Sequence, residues 1–237
     1  VISNGTAILG LGHRGALASK PVMEGKAVLF KKFADIDSID IEINAIDPET
    51  VISVCAAIGE SFGGINLEDI RSPECFLIEK RLQELLPIPV FHDDQHGTAI
   101  ILGAAITNAT EITGKRLEDL KVVFSGAGAA ALASANHLLH MGVPREHIWM
   151  CDIKGLVYHG RREEMFAEKE AYAQDDQPAT LAEVMEGADV FIGLSAANLV
   201  TPEMLKRMAS SPVIFAMANP NPEIDYDLAK QTRPDGV

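Results

Sequence analysis

Two pairs of adjacent acidic residues are the side chains in this sequence best suited to chemistry. Glu68-Asp69 and Asp93-Asp94 each follow a short apolar segment that is typical of a β-strand. Adjacent carboxylates repel each other, and carboxylates are seldom buried unless they are paired or bind a metal. Mg²⁺ and Mn²⁺ prefer oxygen ligands in octahedral geometry. We therefore predict that Glu68, Asp69 and one of Asp93 and Asp94 hold a hard divalent cation.

Other roles for these residues stay open from the sequence alone. One aspartate of the second pair could simply cap the helix that follows it, which is a common arrangement. His92 and His96 flank that pair, but their spacing matches no zinc pattern. We interpret both histidines as helix-start residues or supports for the ligands, with a surface role favoured over metal ligation.

Lys26 lies among apolar positions of a predicted helix. A surface lysine with a buried stem is the commoner interpretation of such a position. A buried lysine beside a metal would instead have a lowered pKa and could act as a base.

The stretch VVFSGAGAAALASANHLL, which begins at Val122, has the pattern of a dinucleotide-binding turn. It predicts a strand, a glycine turn and a helix in the order of the GxGxxG/A fingerprint. Gly126 permits the tight turn, Gly128 and Ala129 let the backbone approach a pyrophosphate, and Ala131 allows close packing of helix on strand. The helix N-terminus would then face the phosphates. A turn of small residues that serves packing alone is the alternative.

The segment after the next predicted strand contains residues that could distinguish NAD from NADP. Asp152 ends that strand, where an acidic residue would bind the ribose 2′-hydroxyl group of NAD. Lys154, Arg161 and Arg162 follow closely and could pair with the 2′-phosphate of NADP. A solvated cationic loop is an equally acceptable interpretation.

The elements that must position these residues form two series. In the first, we predict strands near residues 7–11, 39–43, 65–67 and 88–91, helices over 15–33 (split near Pro21), 47–60 and 72–86, and an apolar helix ending near Ile112. In the second, apolar strands near 121–125, 148–151, 190–194 and 213–217 alternate with helices, two of which start at Thr180 and Thr201. Apolar strands alternating with helices indicate parallel sheets. The predicted fold is α/β, with a smaller substrate and metal domain over 1–96 and a Rossmann-like, doubly wound domain over 97–237.

Composition narrows the class of protein. The net charge of −14 argues against a general nucleic-acid binder, which would carry a basic face. The three cysteines have no CxxC spacing, so a disulfide framework is not expected and the cytoplasm is the default location. No apolar run is long and uninterrupted enough to span a bilayer. We expect both termini to be cuts in a longer protein.

The whole chain resembles malic enzyme, the oxidative decarboxylase of malate. The resemblance rests on six motifs in the same order: ILGLG from Ile8, PVMEGKAVLFKKFA from Pro21, GGINLEDI from Gly63, PVFHDDQHGTA from Pro89, VVFSGAGAAA from Val122 and ANP from Ala218. The sequences of these motifs are most similar to those of the bacterial branch of the family whose longer members carry a phosphotransacetylase-like C-terminal region.

This resemblance implies conversion of L-malate to pyruvate and CO₂, with reduction of NADP or NAD and with Mg²⁺ or Mn²⁺ bound. It also implies a homodimer or higher homo-oligomer. The implied roles are metal ligation by Glu68, Asp69 and Asp94, support of the site by Asp93, proton acceptance by Lys26, and contact with substrate and nicotinamide by Asn219.

Departures from the family pattern affect the substrate site. The tyrosine that serves the family as general acid lies upstream of the first motif, and this sequence begins too late to contain it. Ala7 replaces the arginine that many members place directly before that motif. We therefore expect this chain alone to be weakly active or inactive. Two other functions compete: an NAD(P) oxidoreductase of the amino-acid dehydrogenase type, which needs no metal, and a non-catalytic NAD(P)-sensing module, which needs neither Lys26 nor converging carboxylates.

Overall fold

A computed structural model describes residues 1–237, and the chain divides into two compact units, Val1–Gly97 and Thr98–Val237. The first unit has a parallel four-stranded sheet in the order β2-β1-β3-β4. Its strands are β1 Ile2–Ser3, β2 Ile41–Glu42, β3 Ile65–Leu67 and β4 Val90–His92. Its helices are α1 Ala16–Ala34, α2 Pro48–Gly59 and α3 Glu74–Leu85, and α4 Asp93–Thr113 begins within this unit.

Local sequence explains where α2 begins. Asp47 caps it by accepting a hydrogen bond from the Thr50 N–H at 2.9 Å, and Pro48 is its first residue. Proline is favoured there because that N–H has no partner within the helix. The helix predicted over 47–60 is thereby confirmed, as are the strand over 65–67 and the helix over 72–86 to within two residues.

Two predictions for the first unit are wrong. Residues 7–11 form a turn in place of a strand, in which Ile8 makes an isolated bridge with Gly12 and Gly10 has a φ of 73°. Positive φ favours glycine and breaks an extended strand; the sheet uses Ile2–Ser3 instead. Helix α1 also continues unbroken through Pro21, because one missing N–H near the start of a 19-residue helix leaves most of its hydrogen bonds intact.

The second unit has a five-stranded sheet in the order β7-β6-β5-β8-β9. Its strands are β5 Val122–Ser125, β6 Ile148–Asp152, β7 Gly155–Leu156, β8 Val190–Gly193 and β9 Val213–Ala216. Its helices are α5 Ala129–Met141, α6 Ala167–Glu170, α7 Leu181–Val184, α8 Pro202–Lys206 and α9 Tyr226–Thr232.

Strands β6 and β8 lie on opposite sides of β5, and all pairs are parallel except β6 with β7. This arrangement confirms the predicted α/β, doubly wound fold, in which ligands bind beyond the carboxyl ends of the strands where the order reverses. Both threonines predicted to start helices do so, since Thr180 and Thr201 accept hydrogen bonds from backbone N–H groups within their helices. The pattern missed β7, a two-residue antiparallel return. No helix combines the length and the apolar character needed to cross a membrane.

Candidate functional site

Three carboxylates of the first unit meet where β3 and β4 end. Glu68 and Asp69 follow β3, Asp94 is the second residue of α4, and one oxygen of each lies within 4.8 Å of the others. Parallel neighbouring strands explain this meeting, because the carboxyl ends of β3 and β4 lie at the same edge of the sheet. Of the two candidates in the second acidic pair, the structure therefore brings Asp94 to the cluster.

The cluster is held by backbone and side-chain hydrogen bonds. Asp94 Oδ2 accepts from the Asp69 N–H at 2.8 Å, and Glu68 Oε2 accepts from the Asn66 side-chain amide at 2.8 Å. Asp69 has a φ of 53°, a left-handed conformation that aspartate and asparagine tolerate better than most residues. These contacts fix the direction of the carboxylates without neutralising them.

Burial and mutual repulsion shift the acidity of all three groups. Burial, with repulsion from Glu68, raises the pKa of Asp69 to about 7. Burial and repulsion from Glu68 and Asp69 likewise raise the pKa of Asp94 to about 7. The pKa of Glu68 is also raised, first by burial and then by the Asp93 charge. These carboxylates therefore destabilise one another in their ionised forms.

A divalent cation fits this cluster. Asp69 Oδ2 is buried and has no hydrogen-bond partner, which is expensive for a carboxylate oxygen unless a cation binds it. Ligands on opposite sides of a cation at roughly 2.0–2.4 Å lie at most about 4.8 Å apart, and the three oxygens here meet that limit. The donor set consists only of carboxylate oxygens, which suits Mg²⁺ or Mn²⁺ better than zinc.

Lys26 reaches this cluster from α1. Its Nζ lies 2.8 Å from Asp93 Oδ2 and 3.1 Å from Glu68 Oε1, so it is an ion-paired lysine and not a lone surface side chain. Burial pushes the pKa of Lys26 down, but the hydrogen bond that Lys26 donates to Asp93 and the charge of Glu68 outweigh burial, and the pKa is raised. With Asp93 and Glu68 ionised, Lys26 therefore lacks the lowered pKa that a buried lysine beside a metal would have.

A second group of polar residues supports the start of α4. Glu79 is buried and accepts hydrogen bonds from the His92 N–H at 3.0 Å and from the Gln95 amide at 3.0 Å. Its carboxylate also contacts His96 Nε2 at 2.8 Å, and this bond raises the pKa of His96. No motif or spacing singles out Glu79, which lies within a predicted helix.

His92 is fully buried, so the surface role favoured from the sequence is wrong for this residue. Its Nε2 lies 3.3 Å from Asp94 Oδ2. Burial lowers the pKa of His92 to about 4, so the ring is neutral at physiological pH. Neither ring nitrogen of His92 has a hydrogen-bond partner, so the neutral imidazole lies close to Asp94 without pairing with its charge.

In the second unit, the GxGxxA turn has the predicted strand–turn–helix context. Gly126 has a φ of 114°, and a Cβ there would lie 2.7 Å from the Leu194 carbonyl oxygen, so only glycine fits. Gly128 is the N-cap of α5, Ala129 is its first residue and Ala131 is buried. A cavity of about 900 Å³ opens beside Gly126 and is also lined by Asp152 and Lys154.

Asp152 ends β6 as predicted, but its carboxylate already has four donors. Oδ1 accepts from the Lys154 N–H at 2.8 Å and from Arg161 Nη1 at 2.9 Å. Oδ2 accepts from Lys169 Nζ at 2.9 Å and from Arg161 Nη2. These cations hold the pKa of Asp152 below its usual range although burial opposes them. Arg161 and Lys169 are buried, whereas Lys154 and Arg162 are exposed. Asn219 is exposed and lies three residues after β9 ends at Ala216.

Comparisons with known proteins match both units. A family model described as "Malic enzyme, N-terminal domain" matches residues 1–83, and one described as "Malic enzyme, NAD binding domain" matches residues 95–231. The chain is 58% identical over 237 residues to a probable NADP-dependent malic enzyme of Rickettsia prowazekii and 58% identical to an NAD-dependent malic enzyme of Rhizobium meliloti. In both cases the match covers 100% of this chain and 31% of the relative, so the chain spans about a third of their length.

Solved structures give the same result for the fold. The NAD-dependent malic enzyme of Thermotoga maritima superposes with a TM-score of 0.92 at 45% identity, over 98% of this chain and 62% of that chain. The malic enzyme of Pyrococcus horikoshii superposes with a TM-score of 0.92 at 37% identity, over 98% of this chain and 56% of that chain.

Proposed function

The chain belongs to the malic enzyme family, as its motifs predicted, and from this premise we propose that the intact protein converts L-malate to pyruvate and CO₂ while reducing NADP. The observation that carries this proposal is the meeting of Glu68, Asp69 and Asp94 beside the ion-paired Lys26. A dinucleotide turn alone would fit many oxidoreductases, whereas a cluster of three carboxylates beside a lysine supports a metal-assisted reaction with a lysine base.

Glu68, Asp69 and Asp94 would hold Mg²⁺ or Mn²⁺. When bound, the ion supplies Lewis-acid stabilisation of negative charge on a substrate oxygen, and the dinucleotide supplies the hydride acceptor. The backbone contacts of Asp94 and the amide of Asn66 on Glu68 pre-orient the ligands, so little reorganisation is needed on binding.

Lys26 accepts the proton of the malate hydroxyl at Nζ. To do so it must first be neutral, and the charges of Asp93 and Glu68 oppose this by raising its pKa. Glu68 is one of the residues that would hold the cation, and neutralisation of its charge there would move the pKa of Lys26 down, toward the range of a useful base. Asp93, at 2.8 Å, keeps the ammonium oriented and takes no part in ligation.

NADP is the dinucleotide that we propose, with NAD as the weaker substrate. The four donors on Asp152 occupy the lone-pair positions of a carboxylate, so this group is not free to accept from a ribose 2′-hydroxyl. The Lys154 ammonium is exposed at the cavity and suits a 2′-phosphate. Gly126, Gly128, Ala129 and Ala131 would cradle the pyrophosphate, and Asn219 would contact nicotinamide and substrate.

Residues 1–96 would thus serve substrate and metal, and residues 97–237 would serve the dinucleotide. We also propose a homodimer or higher homo-oligomer in the cytoplasm. Exposed apolar side chains on α1 support self-association: Leu17 is 88% exposed, Val28 61% and Phe33 78%. The buried free thiols of Cys55, Cys75 and Cys151 support a reducing compartment. Sedimentation of the intact protein tests the assembly.

The test of function is malate-dependent reduction of NADP and of NAD by the intact protein, with Mn²⁺, with Mg²⁺ and with a chelator. We expect reduction only with metal, and faster with NADP. Lys154→Ala should weaken NADP more than NAD. Arg162→Ala is the matched control, because Arg162 is an exposed cation of the same loop that, unlike Lys154, does not line the cavity. Absence of reduction with either dinucleotide in the presence of metal would refute the proposal.

A further inference from the structure

Glu223 is a fully buried carboxylate in the second unit that none of the roles above uses. Its partners are hydrogen-bond donors without charge: Oε1 accepts from the Ser195 N–H at 3.0 Å, and Oε2 accepts from the Ala218 N–H at 3.0 Å. No lysine, arginine or histidine pairs with it. A buried carboxylate without a cation is unfavourable, so its retention at this position calls for a specific reason.

The two backbone groups that Glu223 binds belong to the ends of two neighbouring strands. Ser195 follows β8, and Ala218 follows β9 and directly precedes Asn219. Ser195 Oγ also lies 3.5 Å from Glu223 Oε1 and 2.7 Å from Ser125 Oγ, and Ser125 directly precedes Gly126. One carboxylate is thereby linked to the carboxyl ends of β5, β8 and β9.

Gly193 provides the room that this carboxylate needs. A Cβ at Gly193 would lie 2.3 Å from Glu223 Cδ and 2.4 Å from its Oε2, so the carboxylate lies directly against the end of β8. Gly193 pairs in register with Ser125 on one side and with Ala216 on the other. The glycine and the glutamate therefore form a matched pair at the centre of the strand ends that border the cavity lined by Ser125, Gly126 and Ser195.

We propose that Glu223 is a positioning residue for the dinucleotide site. Its carboxylate fixes the backbone N–H groups of Ser195 and Ala218. It thereby holds Ser195 beside the Ser125-Gly126 turn and fixes the backbone position of the residue that precedes Asn219. It touches no reacting atom. The proposal rests on the proposed function only in taking the ligand of this cavity to be NADP(H).

Three variants of Glu223 separate positioning from bulk stability. Glu223→Gln keeps the volume but places an NH₂ group against one of the two N–H donors. Glu223→Ala removes both acceptors, and Glu223→Asp shortens the reach. We expect the NADPH dissociation constant to rise roughly 10-fold or more in Glu223→Ala, which is the loss expected for one hydrogen bond to a charged group, with Glu223→Gln in between.

The contact with Gly193 supplies a double-mutant cycle. Gly193→Ala should weaken NADPH binding roughly 10-fold when Glu223 is present, but by less than about 3-fold in the Glu223→Ala background, because the clash has been removed. Asp225→Ala is the matched control. It removes the N-cap of α9 two residues further on and lowers stability, but leaves the carboxylate network intact.

NADPH binding is measured by its own fluorescence on the intact protein, next to thermal unfolding, Mn²⁺ affinity and malate turnover. Positioning predicts weaker NADPH binding and lower kcat with unchanged Mn²⁺ affinity. Unchanged NADPH affinity in Glu223→Ala, additive effects in the cycle, or an equal loss in Asp225→Ala would overturn the inference. If the unmodified protein binds NADPH but does not turn over malate, the proposed function is refuted. The NADPH dissociation constants of the Glu223 variants would still decide the role of Glu223.

Discussion

Asp69→Asn should stabilise the protein in the presence of a chelator while it abolishes metal binding. Asparagine keeps the shape of Asp69 and tolerates its left-handed φ of 53°. The pKa of Asp69 is raised from 3.8 to about 7 by burial and by the charge of Glu68. The folded state therefore holds its proton at a higher pH than the unfolded state does. It follows that the free energy of unfolding falls as pH rises from about 4 to about 7 and is level above that range.

The magnitude follows from the same shift. One pKa unit corresponds to about 1.36 kcal/mol, so the shift from 3.8 to about 7 sets a ceiling of about 4 kcal/mol on the destabilisation at pH 8. Because Glu68 and Asp94 titrate together with Asp69, we expect about half of this ceiling, about 2 kcal/mol, to be recovered by the substitution. At pH 4 or below, where Asp69 is protonated, the substitution should be nearly neutral.

Urea unfolding of the chain in a chelator, followed by far-UV circular dichroism at pH 4 and pH 8, measures this difference. The single tryptophan, Trp149, lies in the second unit, so its fluorescence follows the unfolding of that unit beside the signal of the whole chain. Added Mn²⁺ should make the unsubstituted chain more stable than Asp69→Asn, because we expect only the unsubstituted cluster to bind it. A ligand at 100 times its dissociation constant stabilises a protein by about 2.7 kcal/mol. Destabilisation by Asp69→Asn at pH 8 in the chelator, or equal effects at the two pH values, would refute the reasoning.

Four further substitutions have definite expected outcomes. Lys26→Met should lower kcat by about 100-fold or more, the usual effect of removing a general base, with NADPH affinity unchanged in a fluorescence titration. Glu79→Gln should weaken Mn²⁺ binding about 10-fold, measured by calorimetry, because a support of the ligand segment loses an acceptor. Asp152→Asn leaves two buried cations without their anion and should destabilise the second unit by about 3 kcal/mol, measured by tryptophan fluorescence in urea. Gly97→Ala should add up to about 1 kcal/mol of helix stability in a thermal melt, yet lower kcat, because its Cβ would lie 2.7 Å from Asp93 Oδ1.

Most of the second unit follows from its sequence because local and global preferences agree there. β5 and β8 are buried throughout, and their near-continuous apolar residues are typical of buried strands in a parallel sheet. Thr180 and Thr201 mark helix starts by their own chemistry. By contrast, β1 has only two residues and leaves no period that can be recognised, whereas the alternation that predicts a strand near 39–43 matches β2, Ile41–Glu42. The strand predicted near residues 7–11 was wrong because an apolar segment was visible, but its pairing was not.

The carboxylate cluster could be predicted because its ionisable residues lie next to strand ends. Glu68, Asp69 and Asp94 satisfy that condition, and parallel pairing of β3 with β4 is enough to bring them together. The partners of Asp152 could not be predicted in the same way. From the sequence, Arg161 could pair with a 2′-phosphate or lie in a solvated loop, whereas the structure pairs it with Asp152 itself. Charge near a site does not reveal which opposite charge it meets.

Two carboxylates that we expect to position other residues each pack against a glycine. The Asp93 carboxylate lies over Gly97 in α4, and the Glu223 carboxylate lies over Gly193 in β8; a Cβ at either glycine would meet carboxylate oxygen at 2.7 Å or less. Both glycines occupy the interior or end of a regular element, where glycine is unfavourable, and neither has a positive φ that would require it. A glycine without a conformational reason is therefore a place to look for a side chain that needs its space. At Gly97 and Gly193 the space holds a carboxylate that we expect to orient a proposed functional residue, Lys26 in one unit and Asn219 in the other, whereas at Gly59 and Gly103 it holds the side chains of Leu86 and His137. The carboxylate beside the glycine, and not the glycine alone, therefore marks a candidate positioning residue.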